Sequence, residues 1–206
     1  ASIASFLSLI VDRFPEKSII FPASHCDSCG KQLAIRDLIP IFSQLINHSR
    51  CRFCHTKIPF WYGLLELYFG VIVVLYYCAL LSLDQVFILF FSTTLSLYDL
   101  KRQEFPLLVW LLPSIFLLFV TPINALAIIL LAFGIMAELI DLKIGSGDFF
   151  YLASLSLLLD VQTILWIIEL GSLSGIIYYF FQTNKRIPFV PFLFLGYLIS
   201  FIFNHD

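Results

Sequence analysis

Residues Gln85–Tyr98 read QVFILFFSTTLSLY, and Asp99-Leu100-Lys101-Arg102 follow at once. Fourteen residues without a charge, then three charges within four positions, describe a helix that leaves apolar surroundings at an interface. The rest of the chain repeats the pattern. Further apolar spans are expected near Trp61–Leu83, Pro106–Val120, Asn124–Ile140, Phe149–Leu159, Thr163–Phe181 and Phe189–Phe203. Ala1–Val11 is apolar as well, but eleven helical residues reach only about 16 Å, so it reads as the remainder of a first spanning helix. A cleavable signal peptide fits less well, because no small-residue cleavage site leads into a soluble mature domain. The expectation is an all-α polytopic membrane protein of about eight transmembrane helices, the first one truncated.

Composition agrees with this. Of 206 residues, 60% are apolar and 13% charged, with a mean hydropathy of +0.96. A soluble domain is near half apolar and a quarter charged. An ordinary cytosolic globule and a disordered tail are thereby excluded. Twelve basic residues against fourteen acidic ones, a net charge of −2, exclude a nucleic-acid partner.

Residues 12–60 form the one long polar segment. If loops alternate from that side, its face receives Arg13, Lys17, Lys31, Arg36, Arg50, Arg52, Lys57, Lys101, Arg102, Lys143, Lys185 and Arg186, which are all the Lys and Arg residues in the chain. The opposite loops carry Asp84, Asp160 and the terminal Asp206. The positive-inside rule places the long segment in the cytosol, and the expected location is the plasma (inner) membrane. Three domains follow: 1–11, the rest of the first helix; 12–60, a cytosolic insert; and 61–206, a seven-helix membrane domain.

The insert holds Cys26-Asp27-Ser28-Cys29 and Cys51-Arg52-Phe53-Cys54. A CxxC turn puts two thiolates on one side, and two such turns supply a tetrahedral S₄ site for Zn²⁺. Two disulfides are the competing assignment, disfavoured where the cytosol keeps thiols reduced. A closed S₄ sphere is structural, so Cys26, Cys29, Cys51 and Cys54 are expected to fold an insert with little core of its own. His25 and His55 are expected beside the ligands. The apolar run Asp37–Phe42 is expected to pack on the insert or on the membrane surface. Cys78, in an apolar stretch, is expected to be a buried small hydrophobe.

Carboxylates near a bilayer are costly and invite a functional reading. Asp99 ends one apolar helix, and Asp148 closes Gly145-Ser146-Gly147-Asp148 and opens another. Helix parity puts both on the cytosolic face. The glycines suit a place where an unwound peptide lies against the backbone. Two neighbouring carboxylates share one proton, which is the arrangement of an aspartic protease: one activates water, the other protonates the leaving amine. Helix capping is the plain structural alternative for an Asp at a helix start. Asp141 is the rival second carboxylate, without the glycines. Glu104 reads as a solvated loop charge, and Glu138 and Glu169 as partners for buried polar groups.

Taken together these residues resemble the type IV prepilin leader peptidases, in particular the competence-associated enzymes of Gram-positive bacteria. The resemblance is carried by Ala4-Ser5-Phe6-Leu7 with Val11 and Arg13-Phe14-Pro15; by Ser24–Gly30 and Asp37-Leu38-Ile39-Pro40; and by Ile58-Pro59, Tyr62 and Leu65-Glu66-Leu67 with Gly70. It continues in Asp99 with Pro106, in Gly145, Gly147 and Asp148, and in Ile187-Pro188-Phe189, Pro191-Phe192 and Gly196. It implies cleavage of prepilin or pseudopilin leaders after a Gly at the cytosolic face, with Asp99 and Asp148 catalytic. For many members it also implies N-methylation of the new N-terminus by S-adenosylmethionine. Ser8, Leu107, Leu142, Lys143 and Phe150 depart from the family pattern, while both aspartates keep to it. Three other readings compete. A presenilin-like GxGD protease would lack the CxxC pairs, and a transporter would show inverted repeats. A membrane scaffold docking a partner through its zinc knuckle would leave both aspartates as caps or ion pairs.

Overall fold

The computed structural model describes residues 6–7, 10–11, 25–26, 28–32, 50–57, 59–140, 145–181 and 187–203. The run at Asp37–Phe42, the rival Asp141, and Arg13, Lys17, Arg36, Lys143, Lys185 and Arg186 lie outside them. Among the described residues the regular elements are helices: α1 (Trp61–Tyr77), α2 (Leu83–Arg102), α3 (Leu107–Val120), α4 (Ala125–Ile140), α5 (Ser146–Leu155), α6 (Val161–Phe181) and α7 (Val190–Phe203). The chain divides into two compact units, Ala1–Val86 and Phe87–Asp206.

In the first unit, α1 stops at Tyr77 rather than running on to Leu83. The Leu80 amide bonds the Leu75 carbonyl at 3.0 Å and the Ala79 amide bonds that of Tyr76 at 2.9 Å, with Ala79 at φ 58°. This is a Schellman closure, made with alanine where glycine would have signalled it. Cys78 therefore stands exposed at the helix C-cap and is not the buried hydrophobe expected.

The second unit is built around α5. Its residues from Phe150 to Leu155 are all buried. Trp110 of α3 donates from Nε1 to the Phe150 carbonyl (2.9 Å) and Ser154 Oγ (2.8 Å). The Tyr151 hydroxyl donates to Ser92 Oγ of α2 at 2.7 Å. On the α4 side, a Cβ at Gly134 would come within 2.7 Å of the Phe150 ring. The helix begins at Ser146 and ends at Leu155, three residues earlier at its start and four at its end than expected. Beyond it the Ser156 hydroxyl bonds the Ala153 carbonyl, and the Asn124 amide takes the Ser156 carbonyl. The same Asn124 caps α4 by accepting from the Ala127 amide at 2.7 Å.

Helices α6 and α7 pack backbone to backbone. A Cβ on Gly196 would stand 2.6 Å from the Ile167 carbonyl oxygen, and one on Gly171 would stand 3.1 Å from the Leu193 Cα. Small residues at such crossings are how helices associate in lipid. Asp160 caps α6, accepting from the Gln162 and Thr163 amides at 3.0 and 3.2 Å. The Thr163 hydroxyl beside it holds its carboxyl below the usual range.

Among the described residues only α6, with 21 residues, is long and apolar enough by itself to cross a bilayer; α1, α3, α4 and α7 are shorter apolar helices. Their surfaces remain apolar, with Phe119 and Phe181 each 86% exposed. Helix α2 has the length but carries Ser92, Thr93, Thr94 and Ser96, and all four are turned inward and buried. Thr93 and Thr94 bond back to the carbonyls of Leu89 (2.7 Å) and Phe90 (2.8 Å).

Candidate active site and metal centre

The two cysteine segments fold alike. In the first, the Gly30 amide bonds the Cys26 carbonyl at 2.8 Å and the Cys26 amide bonds that of Lys31 at 3.0 Å. In the second, His55 bonds Cys51 at 2.9 Å and Cys51 bonds Thr56 at 2.9 Å. Both turns need a left-handed residue four positions after the first cysteine. Gly30 supplies it at φ 66° and His55 at φ 56°, and the second is the costlier choice. Each knuckle is closed by a bridge, His25 to Gln32 and Arg50 to Lys57.

The four Sγ atoms converge within 4.8 Å of one another. Cys26 and Cys54 are 3.7 Å apart, so no S–S bond joins them, and all four cysteines are free thiols. Sulfurs around a tetrahedral ion with metal–sulfur bonds of about 2.3 Å sit roughly 3.8 Å from each other. The donor set therefore fits one tetrahedral metal ion. The Thr56 hydroxyl, 3.2 Å away, draws the Cys54 thiol down to about 6. The Cys29 and Ser28 amides lower Cys26. Lys31 and Arg52 lie over the Phe53 ring at 4.8 and 4.9 Å, bringing positive charge beside the thiolates.

The carboxylates occupy the second unit. Asp99 is not the last residue of its helix; α2 continues to Arg102 and closes through Gln103, at φ 52°, whose amide bonds the Asp99 carbonyl at 2.9 Å. The half-buried Asp99 side chain accepts from the Val190 amide at 3.1 Å, with the Phe189 amide also in reach. It thus sits at the amino end of α7. Asp148 lies in the first turn of α5, where its own amide bonds the Gly145 carbonyl at 3.1 Å. Its carboxylate lies over Gly145, where a Cβ would come within 2.8 Å of Oδ2. The two carboxylates are close enough to interact electrostatically. Asp99 sits at the amino end of α7, whose N–H groups favour negative charge there.

The glycines differ in setting. Gly145 is exposed, whereas Gly147 is buried, and a Cβ there would run into the Phe105 ring. Phe105 packs with Trp110 and Phe150, at ring-centroid separations of 6.2 and 6.1 Å. Gly147 thereby lets the segment following Asp99 close on the helix that carries Asp148. Glu138, at the end of α4, accepts from the Ser146 hydroxyl at 2.6 Å and ties down the start of α5. Glu104 and Glu169 are exposed. Two contributors escaped the sequence reading. The Val190 amide carries no side-chain signal. The Ser92–Ser96–Asp99 spacing, by contrast, marks one helix face and was readable.

Comparison with known proteins points the same way. Residues 1–80, which hold both knuckles, match the family model described as the bacterial peptidase A24 N-terminal domain. A prepilin leader peptidase/N-methyltransferase of Myxococcus xanthus is 39% identical over 71 residues, covering 34% of this chain and 21% of that protein. One of Vibrio cholerae is 26% identical over 97% of this chain and 92% of its own length. One of Dichelobacter nodosus is 29% identical over 91% of this chain and 73% of its own. No solved structure matches. Each of these matches is to a prepilin leader peptidase/N-methyltransferase or to the N-terminal domain of a bacterial A24 peptidase, and these are the proteins the chain is similar to.

Proposed function

We propose that this chain is a membrane aspartic endopeptidase that removes the leader of type IV prepilins and pseudopilins, cutting after a Gly at the cytosolic membrane face. The observation that carries the proposal is the interacting pair Asp99 and Asp148, each held at a helix amino end. One carboxylate keeps a proton and the other is ionised. The ionised one takes a proton from water as its oxygen attacks the scissile carbonyl carbon. The protonated one hydrogen-bonds the carbonyl oxygen and then gives its proton to the leaving amine as the C–N bond breaks. Gly145, without a side chain, leaves the Asp148 carboxylate the space it occupies. The segregation of every Lys and Arg to one set of loops supports a cytosolic site and a multi-pass chain, with 61–206 as its membrane domain.

The four thiolates would hold Zn²⁺, which supplies a structural crosslink for the 12–60 insert. The relatives' names extend the proposal to N-methylation, and the resemblance adds the new N-terminal amine as acceptor and S-adenosylmethionine as donor.

Co-expression with a prepilin bearing Gly before its apolar segment tests the reading. Asp99→Asn and Asp148→Asn should each lower cleavage on the order of 10³-fold or more while inserting at wild-type level. Processing at the wild-type rate by either variant would put the scaffold reading ahead. Mass spectrometry of the mature N-terminus decides methylation; an unmodified amine in the presence of the donor removes that activity.

A further inference from the structure

Ser96 is 6% exposed, and its Oγ is the buried side-chain oxygen that, among the described residues, has no hydrogen-bond partner. Its neighbours behave otherwise. Thr93 and Thr94 bond back to the preceding turn, and Ser92 accepts from Tyr151. A buried hydroxyl left unpaired is costly, so such a group calls for a role.

Its position narrows that role. Ser92, Ser96 and Asp99 fall within about 60° on the α2 wheel. On α5, Asp148 and Tyr151 are three apart and share a face. The same two helices meet at Ser92 with Tyr151 and again where Asp99 interacts with Asp148. Ser96 lies on the seam between those two meetings, one turn before Asp99, and its O–H is free to donate.

Resting on the peptidase reading, we infer that Ser96 is a positioning residue for the carboxylate pair: its hydroxyl donates to a carboxylate oxygen of that pair during attack and holds the ionised partner in line with water. The bond orients the carboxylate through one oxygen while its other oxygen takes the proton from water, and the Ser96 hydroxyl touches neither the substrate nor the scissile bond.

The test uses purified full-length protein and a prepilin substrate with Gly before its apolar segment, comparing wild type, Ser96→Ala and Ser96→Thr. Ser96→Ala should lower kcat by roughly 10- to 100-fold with KM unchanged and a melting temperature equal to or above that of wild type, because no folded-state bond is lost and an unpaired buried hydroxyl is removed. Ser96→Thr, which keeps the hydroxyl, should recover most of kcat. Wild-type kcat in Ser96→Ala overturns the inference, as does Ser96→Thr behaving like Ser96→Ala. A lowered melting temperature in Ser96→Ala also overturns it, since the hydroxyl would then serve the fold. A wild-type protein that does not cleave overturns the peptidase reading, and this inference with it.

Discussion

A Cβ on Gly145 would stand 2.8 Å from Oδ2 of Asp148, so the carboxylate occupies the space that any other residue would fill. The obstacle is the end of a rotatable side chain, and Gly145 itself is exposed. Gly145→Ala should therefore turn the Asp148 carboxylate aside without unfolding the protein. Prepilin cleavage should fall about 100-fold, the cost of a misplacement near 1 Å, at an unchanged melting temperature. Full activity in the alanine variant would show that this contact does not set the carboxylate.

The sulfur cluster predicts a stoichiometry. Metal analysis of purified protein should find one zinc per chain. Cys51→Ser, at a nearly buried ligand (2% exposed), should lose most of it and leave the 12–60 insert open to protease. Absence of zinc, or thiol titration revealing disulfides, would contradict the assignment.

The α6–α7 crossing predicts a stability contrast. At Gly196 the clash is with the Ile167 carbonyl, which can move only with its helix. Gly196→Ala should cost about 1–3 kcal/mol, lowering the melting temperature by roughly 2–12 °C. Gly175→Ala is the control, because a Cβ there meets the Phe189 ring at an ordinary 3.4 Å. It should melt like wild type. Equal melting of both variants would mean that the two helices slide apart at no cost.

The apolar runs made the helices legible, since burial and lipid both select the same residues. Their ends were less so. Charge at Asp99 hid three further helical residues, and alanine in place of glycine at 79 hid the end of α1 and with it the exposure of Cys78. The CxxC pairs were plain because two residues between cysteines already specify the turn. Asp99 and Asp148 could be paired by loop parity and by resemblance to a family. The groups that hold them could not: a main-chain amide, the Ser146–Glu138 bond and the fit of Phe105 on Gly147 depend on contacts between segments far apart in sequence.

The anchor that α7 offers Asp99 has an evolutionary corollary. Because the donor is the peptide nitrogen of Val190, nineteen of the twenty amino acids could occupy that position and still supply it; proline alone would abolish it. Drift at position 190 can thus go on unchecked by the chemistry next door, and a site comparison based on side-chain identity would pass over one of its fixed points.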